Sequence, residues 1–429
     1  MKFVAGSTPD ANGPILNRSS DSNATSSMRI LVLSATFPAS AEPGRGVFVK
    51  ERAKALKNYA DFDIRVVAPV PWAPPIKRFS NWYRLSQYAR SEILDGLPVT
   101  RPRYFLPPKI GGYFHPSCMY RSVAKCVDRI RTEFEFDLID AHFVFPSGVV
   151  AAKLGRRYGV PVAMTGRGED MLRFPSNVIM RKSIEWALNN ADCCIGVSRE
   201  IATAMRNNGA AESKIQVVPN GIEFEKFNVL DKEECRERLN LPSEKKIILG
   251  VGDRLELKGF HLLVDAMPEV LKIHPNAHLI IVGGKGRFGR DYTSEIERRI
   301  AEHHLENQVS LAGPKPHKEL VEWYNAADLF ALMSSREGSP NVLIEALACG
   351  LPAIGTPVGG IPDELNVPLR GRVLSERSVS AASQAICDCL SKTWDRQAIH
   401  ESMRGRNWCT TATRLAEMLQ DVSKIGLKK

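Results

Sequence analysis

The chain has 429 residues, of which 44% are hydrophobic and 25% are charged, and this composition fits a globular protein with two ordinary cores. No apolar run approaches the roughly 18–20 residues that cross a bilayer, so no transmembrane helix is predicted. The nine cysteines lack paired metal-ligand spacing, which favours free thiols in a reducing cytoplasm over a zinc site or a disulfide framework.

The first segment is predicted to be an extension without a fold. Residues 1–27 are rich in Ser, Asn, Gly, Asp and Pro and contain no apolar stretch of signal-peptide length. We expect a disordered extension or, alternatively, sequence upstream of a true start at Met28.

From Met28 onward, short buried strands alternate with amphipathic helices. The first series has predicted strands at 29–34, 64–68, 137–142, 160–165, 193–197 and 216–218, and helices at 46–59 and 148–158. A charged connector at 224–246 precedes the second series, with strands at 247–250, 277–282, 309–311 and 329–332, and helices at 260–274, 293–304 and 318–326. Such alternation predicts parallel sheets covered on both faces.

The two series predict an α/β protein with two Rossmann-like halves. Ligands of open parallel sheets bind beyond the carboxyl ends of the strands. We therefore expect a site in the cleft between two facing sheets, where the loops after the strands meet.

The segment SSREGSPNVLIEALACGLPAIGTPVGGIP, at 334–362, is the most informative part of the chain. A loop with Glu337 and Gly338 precedes a predicted helix start near Asn341, and Gly350 is placed to end that helix. The free N–H groups and the dipole of such a helix start suit a phosphate group. Glu345 lies further along the segment and can reach another part of the same ligand.

Further candidate residues follow other predicted strands. Arg254 and Lys258 lie four apart in the loop after strand 247–250, so both can point at one pyrophosphate. Gly44, Arg45 and Gly46 open the first helix, where backbone N–H groups can face a diphosphate or an acceptor. The run GGKGRFGR at 283–290 is rich in glycine but lacks the GK[ST] of a nucleoside-triphosphate loop.

Two glutamates eight apart around GSPNVLI, followed by ALACGLPAIGTPVGGIP, resemble the signature of retaining, nucleotide-sugar-dependent glycosyltransferases with the GT-B fold. The chain is similar to the family 4 and group 1 type, and its start, FP…GVFVKE…AL, is similar to bacterial cell-surface polysaccharide and teichuronic-acid-type enzymes. The resemblance implies an acceptor domain at 28–222 and a donor domain at 223–403, with a last helix at 404–425 that packs back on the first domain.

The same resemblance implies roles for individual residues. Arg254 and Lys258 hold the diphosphate, Glu345 binds the ribose, Glu337 lies near the transferred sugar, and His142 contacts that sugar. The implied catalytic residues are His142, Glu337, Arg254 and Lys258. The implied donor-binding residues are Gly44, Gly46, Gly283, Gly284, Gly338, Asn341, Val342 and Glu345. The implied acceptor or sugar contacts are Arg45, Arg167 and Asp170, and Arg167 stands where the family often has His.

The expected activity is retaining transfer of a sugar from a nucleotide sugar, such as a UDP-sugar, to a carbohydrate or lipid-linked glycan acceptor in cell-surface polysaccharide synthesis. No metal or other cofactor is expected, because no Asp-x-Asp motif ends a suitable strand and the nucleotide sugar is a co-substrate. Two alternatives are a sugar-nucleotide epimerase on the same fold and a non-catalytic family member in an assembly complex.

The formal net charge is +10, and cations interleave with aromatic residues between Trp72 and Arg131. This basic segment is either a solvated loop region or a surface that meets an anionic membrane or a lipid-linked acceptor. No nucleic-acid module is visible, so nucleic acid is not expected as a partner. The expected location is the cytoplasm, with peripheral attachment to the inner face of the membrane.

Overall fold

The computed structural model describes residues 27–77, 80–107, 110–285 and 291–426. The predicted extension therefore lies outside the described residues apart from Ser27. Arg78 and Lys109 of the basic segment, and residues 286–290 of the glycine-rich run, also lie outside them.

The first half of the described chain alternates strands and helices from its start. Its strands are β1 (Arg29–Ser34), β2 (Asp63–Val67), β3 (Val70–Pro71), β4 (Ser91–Leu94), β5 (Leu97–Thr100), β6 (Arg103–Tyr104), β7 (Leu138–His142), β8 (Val162–Gly166), β9 (Cys193–Gly196) and β10 (Ile215–Val217). Its helices are α1 (Val47–Ala60), α2 (Ser80–Ser86), α3 (His115–Arg131), α4 (Val149–Tyr158), α5 (Glu169–Leu172), α6 (Val178–Asn189) and α7 (Arg199–Asn207).

Eight strands of the first half form one sheet in the order β10-β9-β8-β7-β1-β2-β5-β4. Every neighbouring pair is parallel except β4 with β5, which pair as an antiparallel edge hairpin. The direction of winding changes between β7 and β1, so the loops after these two strands border a crevice at the carboxyl edge.

The second half repeats this architecture with a smaller sheet. Its strands are β11 (Lys246–Val251), β12 (Ala277–Val282), β13 (Val309–Gly313), β14 (Leu329–Leu332), β15 (Ala353–Gly355) and β16 (Gly371–Val373). Its helices are α8 (Lys232–Leu239), α9 (Phe260–Ile273), α10 (Thr293–Glu302), α11 (Leu320–Ala326), α12 (Asn341–Ala348), α13 (Ile361–Leu365), α14 (Val379–Leu390) and α15 (Arg396–Ser402), and the chain continues into α16 (Trp408–Gly426).

The second sheet is wholly parallel and has the order β13-β12-β11-β14-β15-β16. This is the order of a dinucleotide-binding Rossmann sheet, whose switch point lies between the first and fourth strands. Here the switch point lies between β11 and β14, so the loops that follow these two strands are adjacent. The predicted α/β fold with two parallel-sheet halves is confirmed.

Apolar clusters cover both sheets, and α16 completes one of the clusters on the first. Ala412, Leu415 and Leu419 of α16 are buried together with Val49 and Leu56 of α1. The helix predicted at 404–425 becomes α-helical only at its fifth residue, because residues 404–406 form a 3₁₀ turn. The last helix of the described chain therefore packs on the first half.

The basic segment is more folded than a loop. It contains α3 and the β4–β5 hairpin, neither of which the sequence pattern predicts, and Arg101 is only 2% exposed. Arg101 forms an ion pair with Glu92 at 2.5 Å, and Arg103 donates hydrogen bonds to the carbonyls of Leu85 and Tyr88. Two of the cationic side chains expected at the surface are therefore held by an ion pair and hydrogen bonds to other residues of the protein.

Across the described ranges, no helix combines the length and apolarity that crossing a bilayer requires.

Candidate active site

A cavity of about 1290 Å³ opens between the two halves at the carboxyl edges of both sheets. The first half contributes the loops after β1 and β7, and the second half contributes the loops after β11 and β14. These are the loops at the two switch points, so the topology accounts for the position of the cavity.

Glu337 lines the second-half wall of the cavity, and Lys258 faces it from the loop after β11. The Lys258 ammonium donates to Glu337 Oε1 over 2.6 Å, and Ser334 Oγ donates to the same oxygen over 2.6 Å. The side chains of Lys258 and Glu337 are 19% and 12% exposed, so water screens their attraction only partly. The structure brings these two predicted residues together from separate loops.

Arg254 does not bond to this pair, although the sequence predicts that Arg254 and Lys258 can point at one pyrophosphate. Its guanidinium Nε donates to Thr293 Oγ1 over 2.9 Å, and the residue is 7% exposed. Thr293 in turn donates to Asp291, just before α10. The Arg254 side chain is thus directed to the start of α10 and that of Lys258 to Glu337, and their joint binding of one pyrophosphate stays a prediction.

Gly338 lies where the two halves touch. A Cβ atom built on Gly338 would stand 1.8 Å from the carbonyl oxygen of Arg167, so only glycine permits this approach. Asn341 follows as the first residue of α12, and its Oδ1 accepts a hydrogen bond from Asn220 over 2.9 Å. Val342 is partly buried against the core of the second half and is not among the described residues that line the cavity.

Glu345 lies in a separate, smaller pocket of about 80 Å³ beside α12. Its carboxylate accepts hydrogen bonds from His317 Nε2 over 2.8 Å and from the Tyr324 hydroxyl over 2.9 Å. Burial, followed by the charge of Glu345, raises the pKa of Tyr324, so the phenol keeps its proton and donates it. Glu345 is thus fixed in place and only 7% exposed.

Gly283 and Gly284 follow β12 next to the loop of Arg254. Gly283 has φ of +157°, and a Cβ there would stand 1.8 Å from the carbonyl oxygen of Gly252. The carbonyl of Gly284 accepts a hydrogen bond from the backbone N–H of Arg254. Both glycines therefore support the Arg254 loop, and neither is found among the described residues of the cavity wall.

His142 does not face the cavity as predicted. It is completely buried at the end of β7, and Arg167 covers it by donating to Nδ1 over 2.7 Å. Its Nε2 lies 3.3 Å from Asp140 Oδ2. Burial lowers the pKa of His142 to about 4, the charge of Asp140 opposing this shift and that of Arg167 adding to it, so the ring is neutral. Arg167, rather than His142, lines the cavity.

Arg167 connects the first half to the start of α12. Besides its bond to the histidine, the guanidinium donates to Asn220 Oδ1 over 2.9 Å and lies 4.8 Å from the centre of the Phe48 ring. Burial lowers the pKa of Arg167 to about 9, and the charge of Arg52 adds to this shift. The hydrogen-bonded series Arg167, Asn220 and Asn341 therefore spans the two halves.

Asp170 orients the loops around the cavity. It is completely buried, and its two carboxylate oxygens accept hydrogen bonds from the backbone N–H groups of Val144, Arg167 and Gly168. Burial raises the pKa of Asp170, and these hydrogen bonds oppose that shift. Asp170 also lines the cavity, and its direct contact with an acceptor or sugar stays a prediction.

The loop after β1 presents one of its three candidates to the cavity. Arg45 lines the cavity and donates to the carbonyl of Ala35 over 3.4 Å. Gly44 is exposed and Gly46 caps α1, and neither belongs to the cavity wall as far as the described residues define it.

The aromatic wall of the first half and the linking position of Asn220 are not predicted by the sequence. The aromatic side chains of this wall are Trp82, Tyr104, Tyr113, His115, Phe143, Phe145 and Phe174. Phe143 has φ of 69°, a conformation that is uncommon outside glycine and that clusters at functional sites. The one signal for the wall in the sequence is the set of aromatic residues in the basic segment, but their interleaving with cations favours a surface over a pocket.

Two family profiles match the sequence. The profile described as Glycosyl transferases group 1 matches residues 231–406, and the profile described as Glycosyltransferase Family 4 matches residues 44–226. The putative teichuronic acid biosynthesis glycosyltransferase TuaC of Bacillus subtilis is 31% identical over 84% of this chain and 88% of its own length. D-inositol 3-phosphate glycosyltransferase 1 of Catenulispora acidiphila is 26% identical over 80% of this chain and 82% of its own length.

Solved structures share the fold. The sucrose-phosphate synthase of Thermosynechococcus elongatus has a TM-score of 0.76 at 20% identity, covering 92% of this chain and 99% of its own. The Anabaena protein HepE, in complex with UDP and glucose, has a TM-score of 0.69 at 21% identity, covering 92% of this chain and 100% of its own.

Proposed function

The chain belongs to the glycosyltransferases of group 1 and family 4 and has the GT-B fold, and we propose that it transfers a sugar from a nucleoside-diphosphate donor, such as a UDP-sugar, to a carbohydrate or lipid-linked glycan, with retention of anomeric configuration. Similarity to the Bacillus protein named for teichuronic acid synthesis supports a role in cell-surface polysaccharide synthesis.

The observation that carries this proposal is the Lys258–Glu337 pair at the cavity wall. Its two loops follow β11 and β14, at the switch point where nucleotides bind in sheets of this order. A lysine ammonium there can neutralise the diphosphate that leaves as the anomeric C–O bond breaks. The positive end of the α12 dipole, close to Glu337 in the chain, adds to the same field.

The roles of Arg254 and Glu345 follow from their positions around this pair. Arg254 bonds to Thr293 through Nε, so the rest of its guanidinium can serve a diphosphate that enters the site. Glu345 is held by His317 and Tyr324, and its carboxylate suits the vicinal hydroxyls of a ribose. The donor would thus extend from the large cavity along α12.

Retention is proposed through a displacement on one face of the sugar. The acceptor hydroxyl attacks the anomeric carbon from the side on which the diphosphate leaves, and a departing phosphate oxygen takes the hydroxyl proton. Glu337 Oε1 is occupied by Lys258 and Ser334, which favours a carboxylate that orients sugar hydroxyls over one that attacks the carbon. In this scheme Lys258 and Arg254 supply the positive charge at the leaving group, so no metal ion is needed.

We also propose that the protein works in the cytoplasm and attaches reversibly to the inner face of the membrane. Exposed apolar side chains of the basic segment, Trp72, Ile76 and Phe105, lie in the same part of the chain as the exposed Lys77. Co-sedimentation with anionic liposomes at low salt, released at high salt, is the expected result. Equal recovery with neutral liposomes would contradict this attachment.

The activity itself is tested by measuring nucleotide release from UDP-glucose, UDP-N-acetylglucosamine, UDP-glucuronate and GDP-mannose with a glycan pool as acceptor. The anomeric configuration of the new linkage is read by proton NMR. Acceptor-dependent release with a retained anomer is expected. Release with inversion would contradict the proposed stereochemistry. Formation of an epimer of the nucleotide sugar without acceptor would show that the protein is an epimerase instead of a transferase.

A further inference from the structure

We propose that His115 is an acceptor-binding residue, whose Nδ1–H donates a hydrogen bond to an oxygen of the glycan acceptor above an aromatic platform. This assignment rests on the proposed transferase activity and adds to it a residue and a subsite on the first-half wall. It concerns the wall opposite the Lys258–Glu337 pair, where the acceptor would lie.

The ring of His115 is part of a continuous aromatic cluster on this wall. His115 is the first residue of α3 and lines the cavity. Its ring centre lies 5.6 Å from that of Tyr104 and 6.5 Å from that of Phe145, which meets it edge-on. Phe145 in turn meets Phe174 edge-on at 5.6 Å. Such rings offer faces for the C–H groups of a sugar and leave the histidine as the polar centre of the cluster.

We take the Tyr104 hydroxyl as the donor in its hydrogen bond with His115, which fixes the nitrogen that carries the ring proton. Tyr104 is 4% exposed, and burial raises the pKa of its phenol, so the hydroxyl keeps its proton. That hydroxyl is bonded to His115 Nε2. Burial also lowers the pKa of His115 to about 4, so the ring is neutral and carries one proton. If the hydroxyl donates to Nε2, the proton of the imidazole must be on Nδ1.

Nδ1 of His115 is then the group left for a ligand. Within the described part of the chain it has no hydrogen-bond partner, and the residue lines the cavity. An uncharged N–H donor suits an oxygen acceptor, either a sugar hydroxyl or a carboxylate. Arg45 lines the same cavity, and its charge acts on the phenol of Tyr104, so a carboxylate would find a cation near this donor.

The proton assignment is tested directly by nitrogen NMR of the histidine rings at pH 7. Comparison with the His115→Asn spectrum identifies the signals of His115. The expected result is a neutral ring protonated at Nδ1, which shifts toward a tautomer mixture in Tyr104→Phe. A ring protonated at Nε2, or an imidazolium, would overturn the assignment.

The role in binding is tested by transfer to n-octyl glucoside and n-octyl glucuronide, with whichever of the four nucleotide sugars named above the wild type uses. His115→Phe should raise KM for the glycoside roughly 10-fold, as expected for a lost neutral hydrogen bond, while the Kd of the nucleotide sugar changes less than twofold. His115→Asn, which keeps an amide N–H near the position of Nδ1, should lose less. His303→Asn, at an exposed position in the second half, is the matched control.

The two glycosides separate the possible ligand oxygens. A larger effect on the glucuronide indicates a carboxylate, and equal effects indicate a shared hydroxyl. An unchanged KM for the glycoside in His115→Phe, or a wild type that binds nucleotide sugar but uses neither glycoside, would overturn the assignment. If the wild type binds none of the four nucleotide sugars, the proposed transferase activity is contradicted instead. The NMR experiment would still decide which nitrogen of His115 carries the proton.

Discussion

Lys258 and Glu337 are 79 residues apart in the chain, yet their ammonium and carboxylate meet over 2.6 Å at the cavity wall. The pairing follows from the strand order, because their loops leave adjacent strands at the switch point of the second sheet. Glu337 thus partly neutralises the charge of Lys258. Binding of a diphosphate would require Lys258 to share that charge between two anions.

Replacing Lys258 with methionine should reduce kcat by about 10²-fold or more, because one fixed cation at the leaving group is lost. The measurement is the initial rate of nucleotide release at saturating donor. Lys272→Met removes an exposed lysine paired with Glu269 on the surface and is the matched control, expected to stay within about twofold of wild type. A Lys258→Met rate within twofold of wild type would remove this residue from the leaving-group site.

Arg254 and Thr293 provide a pair of variants that separate catalysis from structure. If the remaining guanidinium N–H groups of Arg254 bind the diphosphate, Arg254→Ala should lower kcat about 10²-fold, whereas Thr293→Val keeps the cation and should retain most activity. Both variants are compared by rate and by thermal midpoint. Equal losses of midpoint in the two variants, with little loss of rate, would show that the Arg254–Thr293 hydrogen bond serves only the fold.

Glu345 is expected to act on donor binding rather than on turnover. Glu345→Gln keeps the size of the side chain but removes the charge that would accept hydrogen bonds from ribose hydroxyls, so the Kd of the nucleotide sugar should rise about 10-fold with little change in kcat. Glu319→Gln, an exposed neighbour, serves as control. A Kd equal to that of wild type would place the ribose elsewhere.

The buried His142 predicts a dependence of stability on pH. Burial lowers its pKa to about 4 in the folded protein, below the ordinary value of about 6.5. The unfolded chain therefore binds more protons between these two pKa values, and the free energy of unfolding falls as pH falls through this window. One such group contributes a slope of up to about 1.4 kcal/mol per pH unit.

Urea unfolding of wild type and His142→Asn at pH 7 and pH 5 measures this contribution. His115 has a similarly lowered pKa of about 4, so the wild-type slope contains both groups and the variant should keep part of it. An identical change of unfolding midpoint in wild type and His142→Asn would mean that His142 binds its proton over the same pH range in the folded protein as in the unfolded chain.

The sequence was sufficient for the strands that are buried on both faces. The predicted ranges 29–34, 277–282 and 329–332 coincide with β1, β12 and β14. Continuous apolar runs of this length, bounded by turn residues, have few solutions other than a central strand of a parallel sheet.

Helix α3 shows where the same reasoning is incomplete. Four of its buried residues follow a helical period, namely Met119, Val123, Val127 and Ile130. Judged by composition alone, the cations between these residues indicate a solvated surface. A half-buried helix, however, also carries cations on its outer face. The helical spacing of the apolar residues was therefore a better predictor of α3 than the composition of the segment.

The local structure around Glu337 was predictable, because one continuous run of the sequence forms the loop before α12 and the helix start at Asn341. No local pattern shows that Arg167 covers His142 or that Arg254 is directed to Thr293. These contacts depend on how segments far apart in sequence pack. The aromatic wall has the same origin, since its rings come from several separate elements.

The proposed function depends on the binding of a nucleotide sugar beside Lys258 and Glu337 without a metal ion. Titration calorimetry in EDTA measures this binding. Wild type and Lys258→Met are titrated with UDP-glucose, UDP-N-acetylglucosamine, UDP-glucuronate and GDP-mannose. We expect saturable binding of at least one of them to wild type at one site per chain, and weaker binding of the same compound to Lys258→Met. Binding that appears only after Mg²⁺ or Mn²⁺ is added, or equal affinity in the two proteins, would contradict this proposal.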